Sequence, residues 1–419
     1  MGFASAYLDE KAVFQEFIKE APQKNTGLIV VVPSYDEPDI VKLIDSLALC
    51  DKPNCDTEVI VVVNAPADAS IKSLENNKLT VKSLETWRNN HTCFFKLFIL
   101  EIDPGQIKDW GVGLARKTGM DEAVRRFNSV NRPDGVIMSL DADCTVDTSY
   151  FTAIYEELLN RKDRSACSVY FEHTLSGNEF SDINYRSVAL YELHLRYYFQ
   201  ALAYTGFPYV HHTVGSVIAV KALQYIKAGG MNRRKAGEDF YFIQKLVPSG
   251  GYFNLNSTTV RPSPRCSRRV PFGTGATISR LYETGCDTLL TYNRQAFCEL
   301  KEFFDHVDEF YSCPRTGLEG VFHVLPDGIK SFLSVDEWIK KIPEIQQNTS
   351  GLSSFRKRFF SWFNMFKVVK YLNHIHESYF PKRPVQESAS DLLNVIGYEF
   401  SGYDPVDLLL FYRELEKLS

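Results

Sequence analysis

The chain has no apolar run approaching the roughly 18 residues that would span a bilayer. It has no CxxC pair, although it carries nine cysteines, an odd number scattered along its length. That excludes a zinc cluster of the ribbon type and a disulfide framework, and leaves reduced thiols as the simplest reading. It has no excess of positive charge: 47 Lys and Arg face 52 Asp and Glu, for a formal charge of -5. A general nucleic-acid binder needs a basic stripe against phosphates, so no nucleic-acid partner is expected. Residues 1–20 carry acids and lack a basic-then-apolar leader pattern. No internal repeat and no low-complexity linker interrupts the chain. A cytoplasmic location is the expectation from these absences.

What is present is 419 residues, enough for two or three domains and a substantial core. Aromatics are plentiful, with 30 Phe and 22 Tyr; they suit walls on which sugars stack, but core packing accounts for most of them. Leu8, Val13, Phe14, Phe17 and Ile18 recur at helical spacing, so residues 7–20 read as a helix packing on the core. Residues 27–32 form a β-branched run typical of a strand buried on both faces, ending at Pro33-Ser34-Tyr35-Asp36-Glu37-Pro38. A helix over 39–49, a second strand over 58–63 ending at Asn64, a third strand over 94–99, a helix over 113–127 and a fourth strand over 136–140 follow. Strands alternating with helices predict an α/β class: a Rossmann-like, mostly parallel sheet flanked by helices. Ligands of such sheets bind beyond the carboxyl ends of the strands. Those ends carry Asp36 and Glu37, Asn64, and Asp141 and Asp143. After Leu290 helical patterns dominate. The expected organisation is an N-terminal helix in 1–26, the α/β domain over 27–285, and a mostly helical extension over 286–419.

Asp141 and Asp143 flank one alanine after a buried strand, so in extended geometry both carboxylates point to one side. Two such carboxylates suit Mg2+ or Mn2+, which keep open positions for substrate phosphates; a loop with two solvated acids is the plainer alternative. Gly229-Gly230-Met231-Asn232 and Gly237 precede Glu238 and Asp239, which open an apolar helical stretch through Leu246. Acids at a helix start cap its dipole, and the same position fixes a side chain for catalysis. Arg261, Arg265, Arg268 and Arg269 stand close together before Gly273 and Gly275. Guanidinium groups bind phosphate in a fork, so this loop suits a diphosphate or an anionic acceptor. His211 and His212 precede an apolar strand at 217–220; either could touch a phosphate, the acceptor or the metal, or be a strand-start histidine satisfied by backbone. Arg356-Lys357-Arg358 before an aromatic helix could lie peripherally on the inner face of an anionic membrane, but a core helix is the favoured reading.

The order PSYDE, VVVNAP, LDADC, GGMN and GEDFYF resembles a family 2 glycosyltransferase of GT-A fold over about residues 27–285. The segment Gly113-Leu114-Ala115-Arg116-Lys117-Thr118-Gly119 is similar to the family's helix start near the donor. The resemblance implies that Pro33, Tyr35 and Glu37 line the nucleoside pocket, with Asn64 beside the base where the family commonly has aspartate. It also places Arg116 and Lys117 near the donor, Asp141 near ribose and metal, and Asp143 on the metal. Asp239 is then the base that deprotonates the acceptor hydroxyl, and Glu238 positions Asp239 or the acceptor. The implied donor is a nucleoside-diphosphate sugar, and the acceptor a hydroxyl of a carbohydrate, lipid-linked or small molecule; inversion is the expected outcome. No histidine follows Asp239 until His306, so a third metal ligand is not identified, and no QxxRW pattern points to a processive synthase. Two rivals stay open: a nucleotidyltransferase that makes a nucleotide sugar, and a non-catalytic binding protein of the same fold.

Overall fold

The computed structural model describes residues 2–102, 110–234, 237–267, 273–284 and 287–418. They fall into two units, Met1–Gly177 with Thr213–Ala276, and Asn178–His212 with Thr277–Ser419. In chain order the first unit holds α1 (Ser5–Lys11), β1 (Thr26–Ser34), α2 (Ile40–Ala48), β2 (Asp56–Val63), α3 (Ile71–Asn90), β3 (Phe95–Glu101), α4 (Val112–Ser129), β4 (Val136–Ser139), β5 (Thr145–Val146), α5 (Tyr150–Ile154) and β6 (Ala166–Phe171). After α6 (Asp182–Tyr204), part of the second unit, it resumes with β7 (Ile218–Lys221), α7 (Ala222–Lys227), α8 (Glu238–Leu246) and β8 (Tyr252–Arg261).

β1 is buried along its whole length, as its unbroken aliphatic run demands of a strand covered on both faces. It pairs in parallel with β2 on one side and β4 on the other. The full order is β3-β2-β1-β4-β7-β6-β8-β5, with β7 and β5 antiparallel to their neighbours. This is the mostly parallel, helix-flanked sheet of the α/β class that the sequence predicts. The chain steps outward from β1 through β2 to β3 and then returns to β4 on the other side of β1. The carboxyl ends of β1 and β4 therefore flank a topological switch point, where a crevice opens in sheets of this kind.

α4 is buried on nearly every side, and its polar residues are paired accordingly. Arg126 binds Glu58, and Lys117 Nζ lies 2.8 Å from Asp121 Oδ2. Gly119 lets the helix approach the sheet: a Cβ there would lie 2.4 Å from Val31 Cγ1. Glu122 explains one correction. Residues 7–20, expected as one helix, are helical only in α1, and Ala12 is already extended. The backbone N–H groups of Phe17 and Ile18 donate to the Glu122 carboxylate at 3.3 and 2.9 Å, so they are not spent on a helical ladder. The apolar spacing of Phe14, Phe17 and Ile18 serves an extended strap instead; Phe14 stacks on Trp110 with centroids 5.8 Å apart.

The second unit is mostly helical, with α6 joined by helices such as Arg294–Asp305, Val335–Gln347, Leu352–Trp362 and Pro405–Leu418. Phe355, Phe359, Phe360 and Phe363 are buried, and Phe303 packs against both Phe359 and Phe363. The aromatic face after Arg356-Lys357-Arg358 is therefore core, the favoured of the two readings of that segment. Among the described residues no helix is long and apolar enough to cross a membrane.

Candidate active site

Three sequence-distant motifs meet at the carboxyl ends of β1 and β4. The parallel ladder aligns them: Asn64 N–H donates to Ser34 O at 3.0 Å, and Leu140 N–H to Val31 O at 3.1 Å. Past β4 the chain turns through Asp141-Ala142-Asp143, with Cys144 N–H closing onto Asp141 O at 3.1 Å. α8 starts at Glu238, as the sequence indicated, after Gly237 at φ 73°, a left-handed turn that favours glycine. Gly113, in the first turn of α4, packs on the segment before α8; a Cβ there would lie 2.3 Å from Arg234 O. That close approach puts Arg116 between the two acidic motifs.

Arg116 is 3% exposed. Its Nη1 donates to Glu238 Oε1 and its Nη2 to Asp141 Oδ1. Burial works against the guanidinium charge, but Asp141 and Glu238 outweigh it and raise the Arg116 pKa. A second arginine makes a second bridge. Arg265 Nη1 donates to Glu37 Oε1 at 2.6 Å, and Nη2 reaches both Glu37 Oε2 and, at 2.9 Å, Asp143 Oδ2. Glu37 is fully buried, whereas the Asp141 and Asp143 side chains are 40% and 24% exposed. Asp239 is half-buried, and its Oδ1 accepts the Phe240 N–H at 2.7 Å. Among the described residues, five carboxylates thus gather around two guanidinium groups.

The two acids of α8 are held above the ordinary carboxylate range. Burial pushes Glu238 up to about 7, opposed by Arg116 and aided by Asp239 and Asp141. Burial likewise raises Asp239, again against Arg116 and with Asp141. A carboxylate held above its ordinary range is a stronger proton acceptor than a free one.

The other sequence candidates distribute as follows. Pro33 is buried in β1, Tyr35 is half-buried in the loop beyond it, and Asn64 is buried at the end of β2. Lys117 does not join the acid cluster: its Nζ faces Asp121 and donates to Tyr7 Oη at 3.0 Å, in a buried network where Tyr225 Oη also donates to Asp121 Oδ1. His212 belongs to the second unit, where its Nε2 lies 2.9 Å from Glu416 Oε2 and its ring stacks on Phe199 at 4.6 Å. Arg268 and Arg269 lie outside the described residues. Arg261 turns to Asp147 and Glu172.

Sequence reasoning missed the polar face of α3. Asp36 has φ 52°, a strained conformation for a residue other than glycine. Asn77 Oδ1 accepts the Asp36 N–H at 2.9 Å, while Ser73 Oγ and Asn76 Nδ2 donate to its carboxylate at 3.1 and 2.6 Å. Asn77 Nδ2 also donates to Asn64 O at 2.8 Å, and Thr80 Oγ1 to Glu37 O at 2.8 Å. One helix face therefore clamps the ends of β1 and β2. The signal was Ser73, Asn76, Asn77 and Thr80 at spacings of three and four, which share a side.

Among the described residues no group of three or more His, Cys, Asp or Glu side chains could hold a metal alone. Asp141 and Asp143 fit Mg2+ or Mn2+ in one way: as two hard oxygen ligands to an ion that completes its shell with water and substrate phosphate.

No family model matches the chain, and no curated protein matches it. Among solved structures it is similar to S. aureus TarS 1–349, at 12% identity over 81% of this chain and 92% of that one, with a TM-score of 0.40. The same protein in complex with UDP-GlcNAc gives 12% identity, coverages of 80% and 91%, and a TM-score of 0.41. A mannosyltransferase from Pyrobaculum calidifontis, in complex with GDP-Man and Mn2+, gives 13% identity, coverages of 99% and 92%, and a TM-score of 0.37.

Proposed function

We propose that the chain is a glycosyltransferase that moves a sugar from a nucleoside-diphosphate sugar to a hydroxyl acceptor, with Mg2+ or Mn2+ and with inversion. The observation that carries the reading is the gathering of Glu37, Asp141, Asp143, Glu238 and Asp239 at a switch point of a parallel sheet, two of them partly open to solvent.

Asp141 and Asp143 would hold the cation, which when bound supplies Lewis-acid stabilisation of the departing diphosphate. Pro33, Tyr35, Glu37 and Asn64 would shape the nucleoside pocket, with the α3 face holding their loops still. Asp239 accepts the proton of the attacking acceptor hydroxyl as the new glycosidic bond forms and the bond to the diphosphate breaks. Glu238, tied to Arg116, fixes the start of α8 and thereby the direction of Asp239. One base on the acceptor side is what a single displacement with inversion requires.

The test is release of nucleoside diphosphate from UDP- and GDP-sugars over an acceptor panel with Mn2+. The reading expects acceptor-dependent release by wild type, lost in Asp239→Asn with donor binding kept. Pyrophosphate release from a nucleoside triphosphate and a sugar phosphate would instead establish a nucleotidyltransferase. One observation favours a binding protein without turnover: guanidinium groups already occupy Asp141 and Asp143. Donor binding with no release for any acceptor would decide for it.

A further inference from the structure

Arg265 differs from an ordinary surface arginine in three ways. It is drawn in to 20% exposure, it forks both oxygens of the buried Glu37, and the same Nη2 reaches Asp143 Oδ2 at 2.9 Å. Its partners come from the loop after β1 and the turn after β4, so one guanidinium closes the two sides of the switch point. Among the described residues its Nε has no hydrogen-bond partner although it is buried, so the fork keeps a donor that the two carboxylates do not satisfy.

We infer that Arg265 is the resident counter-cation of this site: it competes with a divalent cation for Asp143, so the protein takes up the ion poorly until an anion draws the guanidinium away. The inference rests on the proposed donor only for the identity of that anion, a nucleoside diphosphate. The physics needs no more than the contacts above. A guanidinium on Asp143 cancels the charge that would attract a second cation and occupies one of its lone-pair directions. A diphosphate offers the arginine a planar, bidentate acceptor and brings its own oxygens to complete the ion's shell. Ion and diphosphate would then enter together, and the acidic cluster would not be blocked by free cations between turnovers.

The experiment is a titration with Mn2+ alone, following free Mn2+ by its paramagnetic resonance signal, on full-length wild type, Arg265→Ala, Arg265→Lys and the double variant Arg265→Ala/Asp143→Asn. Removing the guanidinium should tighten Mn2+ uptake at least about tenfold, because a like charge in contact with the ligand is lost. The double variant should lose that gain. Arg265→Lys guards against misfolding because it keeps a cation beside Glu37: a single ammonium cannot fork Glu37 and hold Asp143 together, so it should also gain. Equal Mn2+ affinity in wild type and both single variants, or a gain that survives Asp143→Asn, overturns the inference. A second arm adds UDP or GDP to wild type and should tighten Mn2+ uptake. Gain in the variants without any nucleotide effect in wild type would leave the counter-cation role standing and remove the donor reading.

Discussion

The two units each bury arginines against carboxylates, and they do so differently. In the second unit, Glu192 receives Arg196 Nε at 2.8 Å and both Nε and Nη2 of Arg413 at 2.8 Å, while Arg196 Nη1 reaches Glu416 Oε2 at 2.5 Å. Two acids face two arginines, all four are buried, and the contacts tie α6 to the terminal helix Pro405–Leu418. Among the described residues of the first unit, two arginines face five acids, and Asp141 and Asp143 stay partly open. Charge sealed from solvent fastens elements together; charge that reaches solvent can meet something that arrives. The difference teaches which cluster is a joint and which is a site, more surely than either motif does alone.

The comparison can be broken most sharply at Asp239. Asp239→Asn should lower transfer by about 10²–10⁴-fold, the usual contribution of a positioned base, while leaving thermal stability nearly unchanged. A stable variant with full transfer would strip the first cluster of its catalytic role. The reverse pattern belongs to the second cluster. Arg196→Met leaves Glu416 short of a partner and should destabilise the fold by about 3–5 kcal/mol in urea unfolding, the cost of a broken buried pair; a loss near zero would make that network dispensable. A smaller effect is expected at His212→Ala, about 1 kcal/mol for one hydrogen bond to Glu416. Lost donor affinity in place of lost stability would return His212 to the site.

The titration of α8 sharpens the comparison further. Burial lifts Glu238 from 4.5 to about 7 in the folded protein. A carboxyl raised in this way contributes stability that is full below its unfolded pKa and lost as pH rises through its folded one. Between about pH 4.5 and 7, wild type should therefore lose stability relative to Glu238→Gln, read as the difference of their melting temperatures. A difference that does not change with pH would mean that Glu238 stays ionised throughout. Asp239, raised for the same reason, should place the acid limb of kcat/KM above the ordinary aspartate range.

Much of this was legible in the sequence for physical reasons. An unbroken β-branched run such as residues 27–32 has few alternatives to a doubly covered strand, and β1 follows it. The acids after Gly237 open α8 because carboxylates favour the positive end of a helix dipole. The strap at Phe14 to Ile18 was misread because its helical spacing is real but Glu122, from 104 residues away, takes the backbone donors. The site was legible as motifs and illegible as pairs. Arg116 lies 122 residues from Glu238, and Arg265 lies 228 residues from Glu37, separations at which only the folded sheet says who meets whom. Lys117, adjacent to Arg116 on the same helix, turns to Asp121 instead, because one step along a helix rotates a side chain to another face.

In the proposed function the acidic cluster receives a nucleoside-diphosphate sugar together with a cation. The most direct measurement is the melting temperature of wild type and Asp143→Ala with UDP- and GDP-sugars, each with and without Mn2+, since a ligand of the folded state raises apparent stability by mass action. The account predicts a rise for at least one donor in wild type that needs Mn2+ and disappears in Asp143→Ala. No rise with any donor, or a rise of equal size in Asp143→Ala, would contradict it.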